Sequence, residues 1–108
     1  MVMRRLDTCY RNVRNFEVVI DFPNINSNQT VSGDVTTTQS FPLGTHILQF
    51  GFGSDATDID DMIIQFKFVA VDTLRYTLQN PTGGAINPGI ITCQFCVGEF
   101  NSDIAVTA

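Results

Sequence analysis

A chain of 108 residues with a formal net charge of −5 has room for a single hydrophobic core and none for a separate regulatory domain. Nine Phe, no Trp and one His, with common Thr and Val and turn formers spread along the chain, are the make-up of an all-β domain. No run of about 18 apolar residues is present to span a bilayer. Arg4 and Arg5 are followed by Leu6, Asp7 and Thr8 rather than by the apolar segment of a secretory signal, so the chain is expected to fold in a cytoplasm and to meet no membrane.

Residues 1–15 (MVMRRLDTCYRNVRN) place Val2, Leu6, Cys9, Tyr10 and Val13 at near-helical spacing, but an isolated helix this short is marginal in water. The segment therefore reads as an arm that orders against another molecule; a frayed terminus or a first strand are the open alternatives. Its four arginines, Arg4, Arg5, Arg11 and Arg14, against Asp7 give a local +3, while the remainder carries −8. A basic arm on an acidic body raises the question of nucleic acid. No strand pattern shows a basic face with interleaved aromatics, and the body would repel phosphate, so the expected partner is protein and not nucleic acid. The residues expected to dock are Val2, Leu6, Tyr10 and Val13, with Arg4, Arg5, Arg11 and Arg14 pairing carboxylates on the partner.

From residue 16 the alternation is that of strands. Phe16, Val18, Ile20 and Phe22 alternate with Glu17, Val19 and Asp21, one face inward. Residues 23–28 (PNINSN) form a turn, and residues 29–39 are a Thr-rich strand with only Val31 and Val35 strongly apolar, the composition of an edge or an outward-facing strand. After a second turn at residues 40–44 (SFPLG), residues 45–52 set Ile47, Gln49 and Gly51 against His46, Leu48, Phe50 and Phe52. His46 has no partner at ligand or triad spacing and reads as a strand-end surface or hydrogen-bonded residue. Residues 53–61 gather Asp55, Asp58, Asp60 and Asp61 without the spacing of a calcium-binding loop, and read as a solvated acidic loop. Residues 62–71 are the most apolar strand: Met62, Ile64, Phe66, Phe68 and Ala70 form one side, and Ile63, Val69 and Val71 leave the other too apolar for open water. A second layer or a neighbouring subunit is expected to cover part of that side.

In residues 71–97, Leu74, Tyr76 and Leu78 define one strand and Ile91, Cys93, Phe95 and Val97 another. The nine residues between them, 80–88 (NPTGGAINP), hold two prolines and two glycines and suit only a connection. Residues 98–108 form a polar tail. Cys9, Cys93 and Cys96 are an odd set; a spacing of three on one strand sends Cys93 and Cys96 to opposite faces, and with no second ligand pair they read as free thiols rather than a zinc or redox site. The whole predicts an all-β, single-domain two-sheet sandwich, immunoglobulin-like or jelly-roll, over residues 16–100, with an N-terminal arm (1–15) and a C-terminal tail (101–108).

The ending Asp72, Thr73, Asn80, Pro81, Thr82, Gly83, Gly84, Ala85, Ile86 and Pro88, with the upstream run Asp21, Phe22, Pro23, Asn24 and Ile25, resembles short β-proteins that recur among the virion proteins of tailed bacteriophages and prophages. This resemblance covers residues 16 to about 100 and implies a virion setting and no active site. With the apolar strand and basic arm, it leads to the expectation of a non-enzymatic decoration or cement protein on the capsid surface. Such a protein would bind the major capsid protein of the mature head as a homotrimer and need no cofactor. The alternative is a tail or head-fibre adhesion module that binds host carbohydrate.

Overall fold

A computed structural model describes residues 9–53 and 59–100. Six strands follow one another, β1 (Tyr10–Phe22), β2 (Thr30–Thr36), β3 (Thr45–Phe52), β4 (Ile63–Ala70), β5 (Thr73–Gln79) and β6 (Gly89–Phe100). They form two three-stranded antiparallel sheets, ordered β1-β6-β3 and β2-β5-β4. Only β4 and β5 are joined by a tight hairpin; every other connection crosses from one sheet to the other. The result is the small two-layer β architecture that the alternation predicts, with β2 at an edge, one of the two places its composition suits.

Both sheets turn their period-2 apolar faces inward. Ile20, Phe22, Ile91, Cys93, Phe95 and Val97 from one sheet meet Leu74, Tyr76 and Leu78 from the other, all buried in one cluster. Ring contacts knit the middle: Phe16 stacks on Phe95 at 5.1 Å, Phe66 meets Phe95 edge-on at 4.9 Å, and Phe22 meets Tyr76 edge-on at 5.0 Å. Tyr76 lies directly across Gly33, where a Cβ would fall 2.3 Å from the tyrosine oxygen. Residues from the connections complete the core, since Ile25, Phe41, Ile59 and Met62 are buried as well.

Two expectations change. Residues 1–15 are not an arm throughout, because β1 begins at Tyr10 and residues 10–15 run along β6, which is the first-strand alternative. The helical spacing of its apolar residues reflects an interrupted strand: the register slips between Arg11 and Arg14, where Asn12 takes a left-handed φ of 53°, a conformation asparagine tolerates. In β3, Ile47 and Phe50 share the inward face that simple alternation denies them. Ile47 pairs with Val97 and Phe50 with Phe95, and Leu48 is the extra residue of a bulge between them. A third slip lies between Phe68 and Ala70 in β4. Of the connection at residues 80–88, the left-handed glycine is Gly89, φ 70°, just beyond it, while Gly83 and Gly84 keep ordinary φ.

Candidate partner-binding surface

The two ends of the sandwich are built from different material. At one end lie the β1–β2, β3–β4 and β5–β6 connections, and there the runs DFPNI and NPTGGAINP are brought together. Ile25 and Ile86 exchange backbone hydrogen bonds of 2.8 and 2.9 Å. Asn80 is fully buried and its amide donates to the carbonyls of Ile25 (3.0 Å), Asn26 (3.3 Å) and Gly84 (2.8 Å). Its side-chain oxygen accepts from Thr82 N at 2.9 Å and Thr82 Oγ1 at 2.6 Å. Ser27 Oγ adds a bond to the Thr82 carbonyl at 2.6 Å. A buried amide with both polar atoms engaged fixes loop geometry, because the alternative is unpaired carbonyls away from water. Ile25, Asn80, Thr82, Gly84 and Ile86 of these two runs thus hold the architecture.

The opposite end carries the start of β1, the end of β6, residues 37–44 and the β4–β5 turn. It exposes Val13 and Phe100 on the outer face of one sheet, Val69 and Val71 at the β4–β5 hairpin and, at 83%, Leu43, while Val19, Ile63 and Ile90 are exposed toward the other end. Beneath them the loop is anchored, for Thr37 N donates to Asp72 O at 2.7 Å, Phe41 N donates to Val71 O at 2.6 Å, and Phe41 is buried. Leu43 is therefore held out from an ordered loop, a costly place for an isobutyl group unless something covers it.

On the outer face of the β1-β6-β3 sheet the same end forms an aromatic cluster over Gly98. Tyr10 meets His46 at 5.5 Å and Phe100 at 6.0 Å between ring centroids, and His46 stacks on Phe100 at 6.3 Å. A Cβ on Gly98 would come within 3.1 Å of Tyr10 Cβ, 3.2 Å of Leu48 and 3.3 Å of Val13, so the glycine lets these side chains close over the sheet. The cluster borders a groove of about 490 Å³ between the free edges of β3 and β4, floored by Ile47, Phe66 and Phe68 and flanked by Lys67. A second hollow, about 460 Å³, lies mid-face between Asn15, Glu17, Gln49, Gln94 and Cys96, where Gln94 donates to Glu17 at 3.1 Å.

Of the eight residues expected to dock, Val2, Arg4, Arg5 and Leu6 lie outside the described residues. The other four do not form one patch. Tyr10 and Val13 belong to the outer aromatic cluster, whereas Arg14 points to the inner side, its guanidinium 4.6 Å from the Phe41 ring centre. That arginine covers its own core, a role a strand can give it and a free arm cannot. Arg11 pairs in register with Glu99, whose carboxylate accepts a bond from Asn12 at 2.7 Å. Val69 and Val71 belong to the side of the apolar strand expected to need cover, whereas Leu43 and Phe100 went unrecognised; a Leu between Pro42 and Gly44 in a turn was the available signal.

None of the three described cysteines forms a disulfide; Cys93 lies in the core, its thiol donating to Ile91 O at 3.9 Å, and Cys96 is half-buried on the outer face, as opposite faces require. Asp55 and Asp58 lie outside the described residues, and among those described no three His, Cys, Asp or Glu side chains gather as a metal-holding group. His46 Nδ1 lies 3.4 Å from the Tyr10 hydroxyl, and its ring contacts are those of a surface aromatic. Compared with protein-family models, with curated proteins and with solved structures, the chain matches none.

Proposed function

We propose that this protein is a structural component of a phage virion, a decoration or cement protein whose apolar end seats on the shell formed by the major capsid protein. The observation that carries the reading is the pair Leu43 and Val71, both exposed, Leu43 the most exposed of the large apolar side chains described, on a loop and a turn joined by Phe41 N to Val71 O at the end where β1 begins. Their burial on a partner is worth on the order of 25 cal/mol per Å². Many copies, each bridging neighbouring shell subunits, convert modest individual affinities into a stable lattice. Binding to the expanded lattice alone would favour that state by mass action. The sequence resemblance supports the virion setting, and Ile25, Asn80, Thr82, Gly84 and Ile86 behind it serve the fold, which leaves recognition to the opposite end.

The test is co-sedimentation with mature phage heads. Leu43→Asp combined with Val71→Asp is expected to abolish binding while the circular dichroism of the fold is unchanged, and removal of residues 1–8 is expected to weaken it. Undiminished binding by the double variant overturns the assignment of this end.

The mid-face hollow favours a second reading, adhesion to host carbohydrate. Asn15, Gln49 and Gln94 each offer a donor and an acceptor, and Glu17 can accept from sugar hydroxyls. Saturable binding on a glycan array that is lost in Gln49→Ala and Gln94→Ala would promote it; silence on the array would retire it.

A further inference from the structure

A strand at the edge of a sheet presents unpaired backbone groups to any other edge, and folded proteins disfavour that pairing by bulges, bends and charges. Four strands lie at edges here, and three of them are interrupted: β1 between Arg11 and Arg14, β3 between Ile47 and Gln49, and β4 between Phe68 and Ala70. The exception is β2. Its seven residues pair with β5 in unbroken register from Thr30 opposite Gln79 to Thr36 opposite Thr73.

We propose that β2 pairs antiparallel with β2 of a second copy, joining the two β2-β5-β4 sheets across a two-fold axis at Gly33. Three features of the strand support this. The first is hydrogen-bond phase. Thr37 N donates to Asp72 O and Asn80 N to Gln29 O, so the odd-numbered residues of β2 exchange bonds with β5. The N–H and C=O groups of Thr30, Ser32, Asp34 and Thr36 therefore point to the open side. A two-fold at Gly33 sets these same residues opposite one another, Thr30 against Thr36 and Ser32 against Asp34, so every outward group finds a partner.

The second feature is the sequence itself. TVSGDVT reads nearly alike in both directions about Gly33, and pairing with its own copy brings Thr to Thr, Val31 to Val35 and Ser32 to Asp34. Hydroxyl pairs and β-branched pairs are favourable cross-strand neighbours. At the axis two glycines meet in a non-bonded pair, where strands approach most closely, and neither carries a side chain.

The third feature is charge. The strand holds one ionisable residue, Asp34, and Arg75 of β5 neutralises it from within the same copy through bonds of 2.7 and 3.2 Å. Sliding the pairing by two residues so that the axis falls on Asp34 would set carboxylate against carboxylate, which leaves the Gly33 register preferred.

Neither the apolar end nor the outer face of the other sheet takes part, so this inference goes beyond the shell-binding reading and survives its failure. The experiment is sedimentation equilibrium on the full chain across micromolar to millimolar concentration, where a species of twice 11.9 kDa is expected. Ser32→Asp sets two like-charged pairs across the axis and is expected to weaken the dimer about tenfold, whereas Ser32→Lys, facing Asp34 of the second copy, is expected to tighten it by a similar factor. Hydrogen exchange at Ser32, Asp34 and Thr36 is expected to slow as concentration rises. A monomer throughout, a trimer, or a dimer that both Ser32 variants shift in the same direction or not at all would overturn the proposal.

Discussion

The end closed by Asn80 and the end that exposes Leu43 each bury a polar side chain, Asn80 and Thr37, and each leave apolar ones exposed, yet they differ in how many polar contacts close them and in where the most exposed apolar group stands. At the first, polar side chains turn inward: Asn80 is buried and bonded to three carbonyls, and Ile25 and Ile86 clasp through their backbones. At the second, apolar side chains turn outward from a loop whose backbone is pinned to the β4–β5 turn. The contrast separates two duties. Buried, fully satisfied polar groups specify one geometry and gain nothing from a partner, whereas exposed apolar groups on a rigid support lose nothing in order when a partner arrives.

The largest effect is expected at Asn80. Asn80→Asp keeps the side chain's size but replaces the donor that faces Ile25 O, Asn26 O and Gly84 O with an acceptor. It is expected to destabilise the fold by about 3 kcal/mol, from buried carbonyls left unpaired. Urea unfolding measures it through the shift in midpoint at constant slope. A loss below about 0.5 kcal/mol would break the comparison, since this end would then not be the rigid one.

A smaller loss is expected at the other end, where Arg14 lies over Phe41. Arg14→Ala removes the guanidinium from the ring face and uncovers a buried phenyl edge, worth about 1 kcal/mol together. Arg14→Lys is expected to recover only part, because a compact ammonium covers less of the ring than a planar guanidinium. The same urea series reads both variants. Equal stability of Arg14→Ala and the parent chain would return Arg14 to the pool of cations free for a partner.

Much of this architecture was legible in the sequence, and the limits of that legibility have physical causes. Period-2 alternation located Phe16, Val18, Ile20 and Phe22 and the inward faces of β5 and β6, because strands without bulges keep one face for their whole length. It failed at Tyr10 to Asn15 and at Ile47 against Phe50, and each failure coincides with a register slip, which inserts one residue and reverses every face beyond it. The loop at residues 80–88 was recognised as a connection, while its clasp to Ile25 was not, since nothing local says which distant turn a buried amide will bond. Of the expected docking residues, Tyr10 and Val13 were placed on the outer face and Arg14 on the inner. Charge and hydropathy name residue types that suit an interface, but only register says which way they point.

At Leu43 the expected change in stability is within about 0.5 kcal/mol, as for surface substitutions with no buried partner. Leu43→Ser is the variant to use, because it tests whether the apolar end serves the fold at all. Unchanged unfolding together with weakened binding to heads would sharpen the division between the two ends. A clear loss of stability would blur it, by showing that Leu43 packs on its own chain.

The smallest effect belongs to the middle of the molecule, where Arg75 and Asp34 pair across β5 and β2 with both side chains about two-fifths exposed. The hydrogen bond from Arg75 holds the Asp34 carboxyl below its ordinary value of 3.8. Because the folded state binds this proton less readily than the unfolded one, the stabilisation is present above about pH 4 and is lost as pH falls through the lower folded value. An exposed pair is screened by solvent and salt, so the expected signature is a small difference between the parent and Asp34→Asn that fades on acidification and in high salt. Tyr76 titrates at the other extreme: burial first, and then the charges of Asp21 and Asp34, push its phenol above 10. Its contribution is therefore complete at neutral pH and declines as pH rises past 10 and through the raised folded value, since the unfolded tyrosine gives up its proton sooner. Unfolding curves for the parent, Asp34→Asn and Tyr76→Phe across that range separate the two. If the Asp34→Asn difference persisted unchanged at acid pH, the ion pair would not be its source, and the bond between the Ser32 and Thr77 hydroxyls at 3.1 Å would be the next feature of that sheet face to remove.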